Sequence, residues 1–384
     1  MPSLLVISFS RIESDARVLR QVLALQEFYE VTVLAHGPKP PQIHRQVSIT
    51  RKSLRGLKRA WRAGMLLLSA YERHYWSRSH ICEALAAFAG QTFDLVLAND
   101  IEALPLAVRL ANGAPVVLDA HEFAPREYEE KLAWRLTLGR LQRYFCKAYL
   151  PKVSKMMTVG SRIAAQYHAD FGVRPAVVYN APAHCDLQPS LMDPSKIRLV
   201  HHGIAAPERH LENMFEMMSL LDSRFCLDLL LVAGNADYYE RLKAMASNTT
   251  RVRLLPPVSQ QQLIPCLNGY DLGVFQLPPV NFNYANALPN KFFDFVQARL
   301  GVAIGPTPEM AELTQRHNLG VVAEDFNPRT LARALNSLTA ADVERFKQNA
   351  HLAATELCFE KSKGVLLATV EEAMRAGHVR RDSP

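Results

Sequence analysis

Strand-like and helix-like segments alternate along this chain in two successive series, and this alternation restricts the possible folds more than any other feature. In the first half, six short runs rich in β-branched residues and leucine are predicted as strands. They are Leu4–Phe9, Val31–Ala35, Leu95–Ala98, Val116–Asp119, Met157–Val159 and Val177–Tyr179. Strands that alternate with helices pair in parallel, and a parallel sheet needs helices on both faces. The sequence therefore predicts an α/β fold with a doubly wound sheet.

The alternation stops after residue 182 and resumes at residue 197, which divides the chain into two domains. Residues 183–196 contain Pro, Asp and Ser, as is typical of a linker. A chain of 384 residues is also too long for a single hydrophobic core. We therefore expect Rossmann-like domains at 1–182 and 197–358 that face each other across a cleft at the carboxyl ends of their strands. The predicted strands of the second domain are Arg198–His202, Leu229–Ala233, Val252–Leu254, Gly273–Phe275, Val302–Ile304 and Gly320–Val322.

Composition and charge argue against several classes of protein. The formal charge of +7 indicates an anionic partner, but no segment resembles a DNA-reading helix or an aromatic RNA platform, so we expect no nucleic acid. The six cysteines form no C-x-x-C pair, which suggests reduced thiols in a cytoplasmic protein. The first ten residues are typical of a strand rather than a secretory signal, and no apolar run is long enough to span a membrane. We expect a cytoplasmic protein, free or peripheral on the inner face of the cytoplasmic membrane.

Positive charge is concentrated between Lys39 and Arg78, where Glu72 is the one acidic residue. Aromatic and aliphatic residues alternate with these cations, a pattern typical of an amphipathic helix on an anionic membrane. The part around Arg51–Arg62 is the predicted membrane-contacting segment. The alternative is an ordinary surface helix whose aromatic face packs into its own domain.

The segment from residue 287 to residue 295 predicts a helix that begins at Pro289, since proline suits the first turn. Lys291 would then lie beside free backbone N–H groups at the positive end of the helix dipole, an arrangement suited to a diphosphate. Asp294, three residues on, could accept hydrogen bonds from the two hydroxyls of a ribose. The alternative is a surface Lys–Asp pair.

The segment from His201 to Arg209 predicts a second anion-binding loop. A strand is expected to end at Gly203, where a ligand could approach the backbone, and Arg209 could bind phosphate through two hydrogen bonds. The alternative is a solvated arginine near a helix start. Gly234 follows the next predicted strand and opens the same edge of the sheet. By contrast, residues 8–15 contain no G-x-G-x-x-G, which argues against a dinucleotide-dependent dehydrogenase.

His121 follows the predicted strand Val116–Asp119, where such folds place active-site groups. A neutral imidazole there could bind a sugar hydroxyl or orient an acceptor. One alternative is a structural histidine bonded to a neighbouring carbonyl. Asp119 and His121 also share a strand face, but no further ligands are visible, so we expect no metal.

Five segments carry a resemblance to a known family: residues 14–21, 30–35, 118–122, 178–182 and 288–291. In this order along the chain they resemble retaining glycosyltransferases of the GT-B fold, the family 4-like enzymes of bacterial polysaccharide and glycolipid biosynthesis. They are similar, in turn, to that family's first helix, its second strand, its acceptor-side loop, the close of its N-terminal domain and its donor-site helix. The resemblance covers almost the whole chain. It implies two Rossmann-like domains and a final helix, at 359–378, that crosses back to brace the first domain.

The resemblance also implies roles for individual residues. Arg209 and Lys291 would hold the donor diphosphate, Asp294 the ribose, and Pro257 and Val258 the nucleobase. His121 would lie near the transferred sugar and the acceptor. Further donor-binding residues would be Gly203, Gly234 and Asn286, and further acceptor-side residues Arg11 and Glu122.

The implied reaction moves a sugar from a nucleotide-diphosphate sugar to a glycan or lipid-linked acceptor with retention of configuration, in cell-surface polysaccharide biosynthesis. It would need no cofactor, metal or protein nucleophile. Two positions depart from the family pattern: Asn286 stands where a glutamate is usual, and Ile204 where an arginine is common. These departures leave two alternatives open: a nucleotide-sugar epimerase or sugar phosphorylase of the same fold, and a non-catalytic scaffold or binding subunit.

Overall fold

The computed structural model describes residues 1–50 and 56–381, except for the side chains of Lys58 and residues 378–381. The chain forms two compact units. Unit 1 comprises residues 1–178, 281–283 and 363–384, and unit 2 comprises residues 179–280 and 284–362. The first unit thus ends four residues before the predicted boundary, and it also takes a short segment from the middle of the second half.

Unit 1 is built on a seven-stranded sheet with the order β3-β2-β1-β4-β5-β6-β7, and all of its strand pairs are parallel. Strands β4 and β5 are buried along their whole length, because helices cover both faces of the sheet. All six strands predicted in this half are present. The strands are β1 Ser3–Arg11, β2 Glu30–His36, β3 Arg45–Ile49, β4 Leu95–Asn99, β5 Val116–Ala120, β6 Lys155–Thr158 and β7 Ala176–Val177.

The helices of unit 1 begin with α1, whose N-terminus is capped by the Asp15 carboxylate, 3.1 Å from the Val18 amide nitrogen. The buried face of this helix includes the polar residues Arg17 and Gln21, whereas Leu19 and Leu23 are half-buried. The helices are α1 Ala16–Gln26, α2 Gly56–Leu67, α3 Tyr71–Trp76, α4 Ser79–Ala87, α5 Leu104–Ala111, α6 Leu132–Leu136, α7 Leu138–Tyr149 and α8 Ser161–Phe171.

The basic segment from Lys39 to Arg78 is not one amphipathic helix, as the sequence suggested. It contains the unpredicted strand β3 and the helices α2 and α3. Arg51, Lys52 and Arg55 lie outside the described residues. Further along, Tyr75 is buried and Trp76 half-buried within the unit, as the alternative interpretation expected.

Unit 2 contains a six-stranded parallel sheet with the order β10-β9-β8-β11-β12-β13. All six predicted strands are present, which confirms the α/β fold class with two parallel sheets. The strand bounds differ from the predicted ones most at two strands: β9 begins at Phe225, and β8 continues through Gly203 to Ala205, because residues 203–205 pair with residues 231–233 of β9. The strands are β8 Ile197–Ala205, β9 Phe225–Ala233, β10 Val252–Leu255, β11 Leu272–Phe275, β12 Gly301–Ile304 and β13 Gly320–Val322.

Helices α9 to α16 follow strands of this sheet along the chain, although α12 begins in unit 1 at residues 282–283, and α17 follows the last strand. Pro289 precedes α13 as its N-cap rather than occupying its first turn. The last helix begins in unit 2, and its residues from Lys363 onward pack in unit 1. The helices are α9 Glu212–Leu220, α10 Ala236–Ser247, α11 Gln260–Leu267, α12 Phe282–Ala285, α13 Asn290–Gln297, α14 Pro308–Arg316, α15 Pro328–Asn336, α16 Ala340–Ala353 and α17 Phe359–Arg381.

Two buried cations of unit 2 hold the predicted linker 183–196 against this unit. The Arg299 guanidinium donates hydrogen bonds to the carbonyl oxygens of Cys185 and Leu187, at 2.6 and 3.1 Å. The Lys347 ammonium donates to the Ser190 hydroxyl, at 3.0 Å, and forms an ion pair with the buried carboxylate of Asp271. Because buried donors need acceptors, these contacts bind a stretch that has little regular structure of its own.

Among residues 1–50 and 56–381, no helix combines the length and apolar character needed to cross a membrane. All six cysteines are unpaired.

Candidate functional site

A group of cationic and imidazole side chains lies where the strand order of unit 2 reverses, between β8 and β11. In doubly wound sheets, this reversal opens a crevice beyond the carboxyl ends of the strands. His201 faces β11, where its Nδ1 donates to the Val274 carbonyl oxygen at 2.9 Å. His202 points to the opposite face and lies edge-on to the ring of Phe295. This alternation is what a β-strand imposes on adjacent residues.

Lys291 reaches this crevice from the first turn of α13. Its side chain is only 8% exposed, and its ammonium lies 5.1 Å from the centroid of the Phe275 ring. Gly203 makes room for it: a Cβ at that position would come within 2.5 Å of the Lys291 Nζ, and the backbone φ of +133° also favours glycine. Although Gly203 does not end its strand, it is the point at which the sheet admits the lysine.

Burial, and then the positive charge of Arg209, lower the pKa of Lys291 to about 7, although Asp294 opposes this shift. Within the described part of the chain, the Lys291 ammonium forms no ion pair and no side-chain hydrogen bond. Arg209, in a short turn after β8, is half-buried and lies close enough to influence that charge. Lys291 and Arg209 therefore form an electropositive site, hereafter the cationic site, in which one cation lacks a partner.

Asp294 lies one turn beyond Lys291 and is 4% exposed, so the two residues are not the surface pair of the alternative interpretation. A carboxylate oxygen of Asp294 lies 3.5 Å from the His202 Nε2. Burial and Lys291 lower the pKa of His202 to about 3, and burial and Lys291 also hold the pKa of His201 well below its usual value. Both imidazoles are therefore neutral near pH 7. Their buried Nε2 atoms have no hydrogen-bond partner among the described residues.

The other predicted residues of unit 2 surround this crevice less closely. Gly234 follows β9 and is covered by Ile204: a Cβ on Gly234 would lie 2.2 Å from the Ile204 Cγ2. Pro257 is exposed and Val258 half-buried in the loop after β10, where Val258 packs on the apolar cluster that contains Phe292 and Phe293. Asn286 is half-buried in the turn after α12.

A second candidate site lies in unit 1, at the carboxyl ends of β4 and β5. It is a cavity of about 270 Å³ whose polar lining is largely acidic. We call it the acidic pocket. Its polar lining residues are Asp100, Glu102, His121, Glu122, Glu127 and Gln142.

Asp100 places His121 in this pocket. Its backbone adopts a left-handed φ of 64°, a conformation that aspartate tolerates better than most residues, and its carboxylate accepts the His121 backbone N–H at 3.0 Å. The other carboxylate oxygen lies 3.4 Å from the His121 Nδ1. His121 is thus held by a carboxylate rather than by the backbone carbonyl that the structural alternative assumed.

The charges in the acidic pocket differ from the sequence-based expectation. Burial opposes a charge on His121, but Asp100 and Asp119 outweigh it and raise the pKa of His121 to about 9. The predicted neutral imidazole is therefore an imidazolium near pH 7. Burial, and then the negative charges of Glu127 and Asp100, raise the pKa of Glu122 to about 8. Burial, and then the negative charges of Asp100 and Glu102, raise the pKa of Glu127 to about 7.

Four buried polar residues lie behind His121, and of these the sequence indicated only Asp119 as a neighbour of His121. Arg17 binds both carboxylate oxygens of Asp119, at 2.6 and 2.9 Å, and Gln21 donates to the same carboxylate at 2.9 Å. Asn99 joins Gln21 to His121. The one signal in the sequence was the i,i+4 spacing, which places Arg17 and Gln21 on one face of α1.

The two predicted acceptor-side residues lie in different surroundings. Glu122 lines the acidic pocket and accepts a hydrogen bond from the Asn283 side chain at 3.3 Å. Arg11 ends β1, is exposed, and pairs with Glu13 at 2.7 Å while its side chain covers Gly37. No contact joins Arg11 to the acidic pocket within the described ranges.

No group of three or more His, Cys, Asp or Glu residues in the described part of the chain is arranged to hold a metal ion. His121 has two carboxylates nearby, but these act as partners of its two ring nitrogens.

The chain is similar to known glycosyltransferases in two comparisons. Residues 16–181 match the model of Glycosyltransferase Family 4. Anabaena HepE, solved in complex with UDP-glucose, superposes with a TM-score of 0.71 at 14% identity, over 97% of this chain and 100% of that one. WaaG, a glycosyltransferase involved in lipopolysaccharide biosynthesis, gives 0.63 at 14% identity, over 94% and 99% of the two chains.

A TarM mutant of S. aureus, solved with fondaparinux, α-GlcNAc-glycerol and UDP, gives a TM-score of 0.69 at 9% identity, over 97% of this chain and 100% of that one. No curated protein sequence matches significantly. The family model thus matches residues 16–181, and the chain as a whole has the GT-B fold of these glycosyltransferase structures.

Proposed function

We propose that this protein transfers a sugar from a nucleotide-diphosphate sugar to a glycan or lipid-linked acceptor, with retention of the anomeric configuration. The observation that carries the proposal is the cationic site, in which the buried ammonium of Lys291 has no ion-pair partner in the described residues. A buried cation without a counter-ion is unfavourable unless a ligand supplies the anion. A diphosphate at the first turn of α13 would supply it.

The neighbouring residues suit the rest of such a donor. Arg209 would share the diphosphate with Lys291, and the Asp294 carboxylate, one turn deeper, would accept hydrogen bonds from the ribose hydroxyls. The Nε2 atoms of His201 and His202 are further polar groups of this crevice. Because the related structures were solved with UDP or a UDP-sugar, a uridine nucleotide is the first donor to test.

In the proposed reaction, the bond between the sugar and the diphosphate breaks as the acceptor hydroxyl forms the new glycosidic bond on the same face. The hydroxyl proton passes to a phosphate oxygen of the leaving nucleoside diphosphate. Lys291, Arg209 and the α13 N-terminus stabilise the charge that grows on this leaving group, which is usually the largest single contribution to catalysis. No protein nucleophile is required.

The acidic pocket supports a polyhydroxylated acceptor. The Asp100 carboxylate accepts hydrogen bonds from sugar hydroxyls, whereas the His121 imidazolium and the Glu122 carboxyl, which is mostly protonated near pH 7, donate them. The cavity of about 270 Å³ has room for a small part of a glycan. A role in cell-surface polysaccharide biosynthesis would follow from such an acceptor.

The proposal is tested with UDP and UDP-sugars. Ligand at 100 times its Kd should stabilise the native state by about 2.7 kcal/mol, seen as a higher Tm. Release of nucleoside diphosphate should then depend on an added glycan or lipid-linked acceptor, and NMR of the product should show a retained anomeric configuration. Conversion of the nucleotide-sugar without an acceptor would instead identify an epimerase. Binding without release, across plausible acceptors, would identify a scaffold.

We also propose that α2 contacts an anionic membrane surface. Leu57, Trp61 and Leu68 lie on one side of this helix and the residue that follows it, and they are 89%, 49% and 84% exposed. The Arg73 guanidinium lies 5.7 Å from the centroid of the Trp61 ring, and Arg59 is exposed on the other side of the helix. Apolar side chains flanked by cations are what an interfacial helix presents to anionic lipid.

Replacing both Leu57 and Trp61 by serine should weaken binding to vesicles rich in phosphatidylglycerol by about ten-fold or more, since a buried apolar side chain contributes about 1.5–3 kcal/mol. Co-sedimentation measures this binding. Leu352→Ser, at an exposed leucine of α16 in unit 2, is the matched control and should bind as the unaltered protein does. Equal binding of the double variant and the control would refute the membrane contact.

A further inference from the structure

A row of hydrogen-bonded side chains runs from α1 to His121 through the interior of unit 1. Arg17 and Gln21 both donate to the buried Asp119 carboxylate. The Asn99 Nδ2 donates to the Gln21 Oε1 at 2.9 Å, and the Asn99 Oδ1 lies 3.2 Å from the His121 Nε2. Arg17, Gln21, Asn99 and Asp119 are all buried.

Arg17 and Asp119, at one end of this row, determine which group donates and which accepts in every following hydrogen bond. A guanidinium can only donate, and an ionised carboxylate can only accept. Although burial opposes its charge, Arg17 and His121 hold the pKa of Asp119 well below its usual value. Gln21 must therefore turn its amide nitrogen toward Asp119 and its oxygen toward Asn99.

The same reasoning passes to the next amide. Because the Gln21 oxygen accepts, Asn99 must present its own nitrogen to Gln21, which leaves only its oxygen for His121. An oxygen acceptor at 3.2 Å requires a hydrogen on the His121 Nε2. The carboxylate of Asp119, 3.7 Å away, favours the same protonated state.

We propose that Gln21 and Asn99 are positioning residues that keep a proton on the Nε2 of His121, so that this histidine acts as a hydrogen-bond donor and not as a general base. This inference rests on the proposed function for its catalytic meaning. The Asp100 carboxylate, 3.4 Å from Nδ1, favours a proton on that nitrogen too, so with Nε2 protonated by the row the ring is an imidazolium that presents an Nδ1–H at the acidic pocket. A ligand there would meet an N–H donor next to a carboxylate acceptor.

Several charged groups lie around His121 and influence whether its imidazole is protonated. Arg17 approaches from α1, Asp119 from β5 and Asp100 from the end of β4. Glu122 follows His121 in the chain, and Glu102 and Glu127 line the same pocket. Burial and Arg17 oppose protonation of His121, whereas Asp100 and Asp119 favour it and prevail.

The proton assignment can be tested by ¹⁵N NMR of the histidine rings, without any activity. The His121 signals are identified among the 13 histidines as those lost in His121→Gln. At pH 7 they should show a protonated Nε2. In Gln21→Met, the Asn99 amide loses the partner that orients it, so the pKa of His121 should fall by about one unit, a ten-fold change in proton affinity. An unprotonated Nε2 at pH 7, or an unchanged titration in Gln21→Met, would overturn the inference.

The kinetic test separates positioning from simple loss of structure. Gln21→Met should lower kcat by about ten-fold, as loss of an orienting partner does at other histidine sites, and should move the alkaline limb of the pH profile to lower pH. Gln26→Met makes the same change at the end of the same helix, where the amide binds Gln42 and His44. This variant should leave both kcat and the pH profile unchanged. In a variant that already carries His121→Gln, adding Gln21→Met should not lower kcat further. An equal loss in that background would show a merely structural role.

Gln21→Glu covers the case in which Gln21→Met does not fold. A protonated glutamic acid has the shape of glutamine and can donate to Asp119 while accepting from Asn99, so this variant should retain activity at low pH and lose it as the new carboxyl ionises. Activity of Gln21→Glu that is independent of pH would contradict the inference. Should no transfer activity be found at all, the NMR result still decides the proton assignment, and the failure belongs to the proposed function.

Discussion

Replacing Lys291 by methionine should lower transfer turnover by about 100-fold or more, since this is the usual loss when one preorganised donor to a developing negative charge is removed. Methionine keeps much of the volume above Gly203 and the contact with the Phe275 ring, so the change removes mainly the charge. Initial rates of nucleoside diphosphate release, at saturating donor and acceptor, measure the effect.

The same variant should not lower the Tm, which distinguishes a functional lysine from a structural one. In the free protein the Lys291 ammonium is buried without an ion-pair partner in the described residues, and such a group opposes folding. Its folded pKa of about 7 lies below the 10.5 usual for a lysine, so the unfolded chain binds more protons between these limits. Stability should therefore rise with pH across that window, and Lys291→Met should abolish this contribution.

Lys243→Ala is the matched control for this experiment. Lys243 lies on α10 of the same unit, is largely exposed and pairs with Glu240 at 3.5 Å, so its loss should change neither turnover nor Tm measurably. Near-normal turnover of Lys291→Met would remove the basis of the proposed function, whatever its stability.

The strands were predictable from sequence because parallel strands buried on both faces are continuous apolar runs. Strand β3 was not, since Arg45, Gln46 and Ser48 interrupt its pattern and β3 lies at the edge of its sheet. The continuation of β8 past Gly203 was missed for a related reason. Glycine weakens a strand in isolation, and only the pairing of residues 203–205 with β9 shows that the ladder continues.

The candidate sites were predictable to different degrees. Lys291 and Asp294 both lie on α13, and the sequence around Pro289 predicts where this helix begins. The surroundings of His121 depend instead on segments far apart in the chain, since Arg17 and Asp119 are 102 positions apart. Local reasoning thus gave a neutral imidazole, whereas the carboxylates that reach it from β4 and β5 make it a cation.

A second large effect concerns the pH dependence of donor binding. In the free protein, burial and Arg209 lower the pKa of Lys291 to about 7. A bound diphosphate would place negative charge against this ammonium and raise its pKa, so donor binding should take up a proton. At pH 8 the uptake should be roughly 0.9 proton, because the free lysine is then mostly neutral, and it should fall to about 0.1 at pH 6.

Calorimetry in two buffers of different ionisation enthalpy measures this uptake. The Kd for the donor should also rise about ten-fold per pH unit above pH 7, until the pH reaches the pKa of Lys291 in the complex. Lys291→Met provides the control, because a variant without the amine should bind UDP weakly but with no uptake and no rise in Kd over the same range. The two lowered imidazole pKa values make the assignment specific: His201 and His202 are neutral well below pH 7, so neither loses a proton in this window. Proton uptake that persists in Lys291→Met, or a Kd that stays constant from pH 7 to pH 9, would show that the diphosphate does not bind beside this lysine.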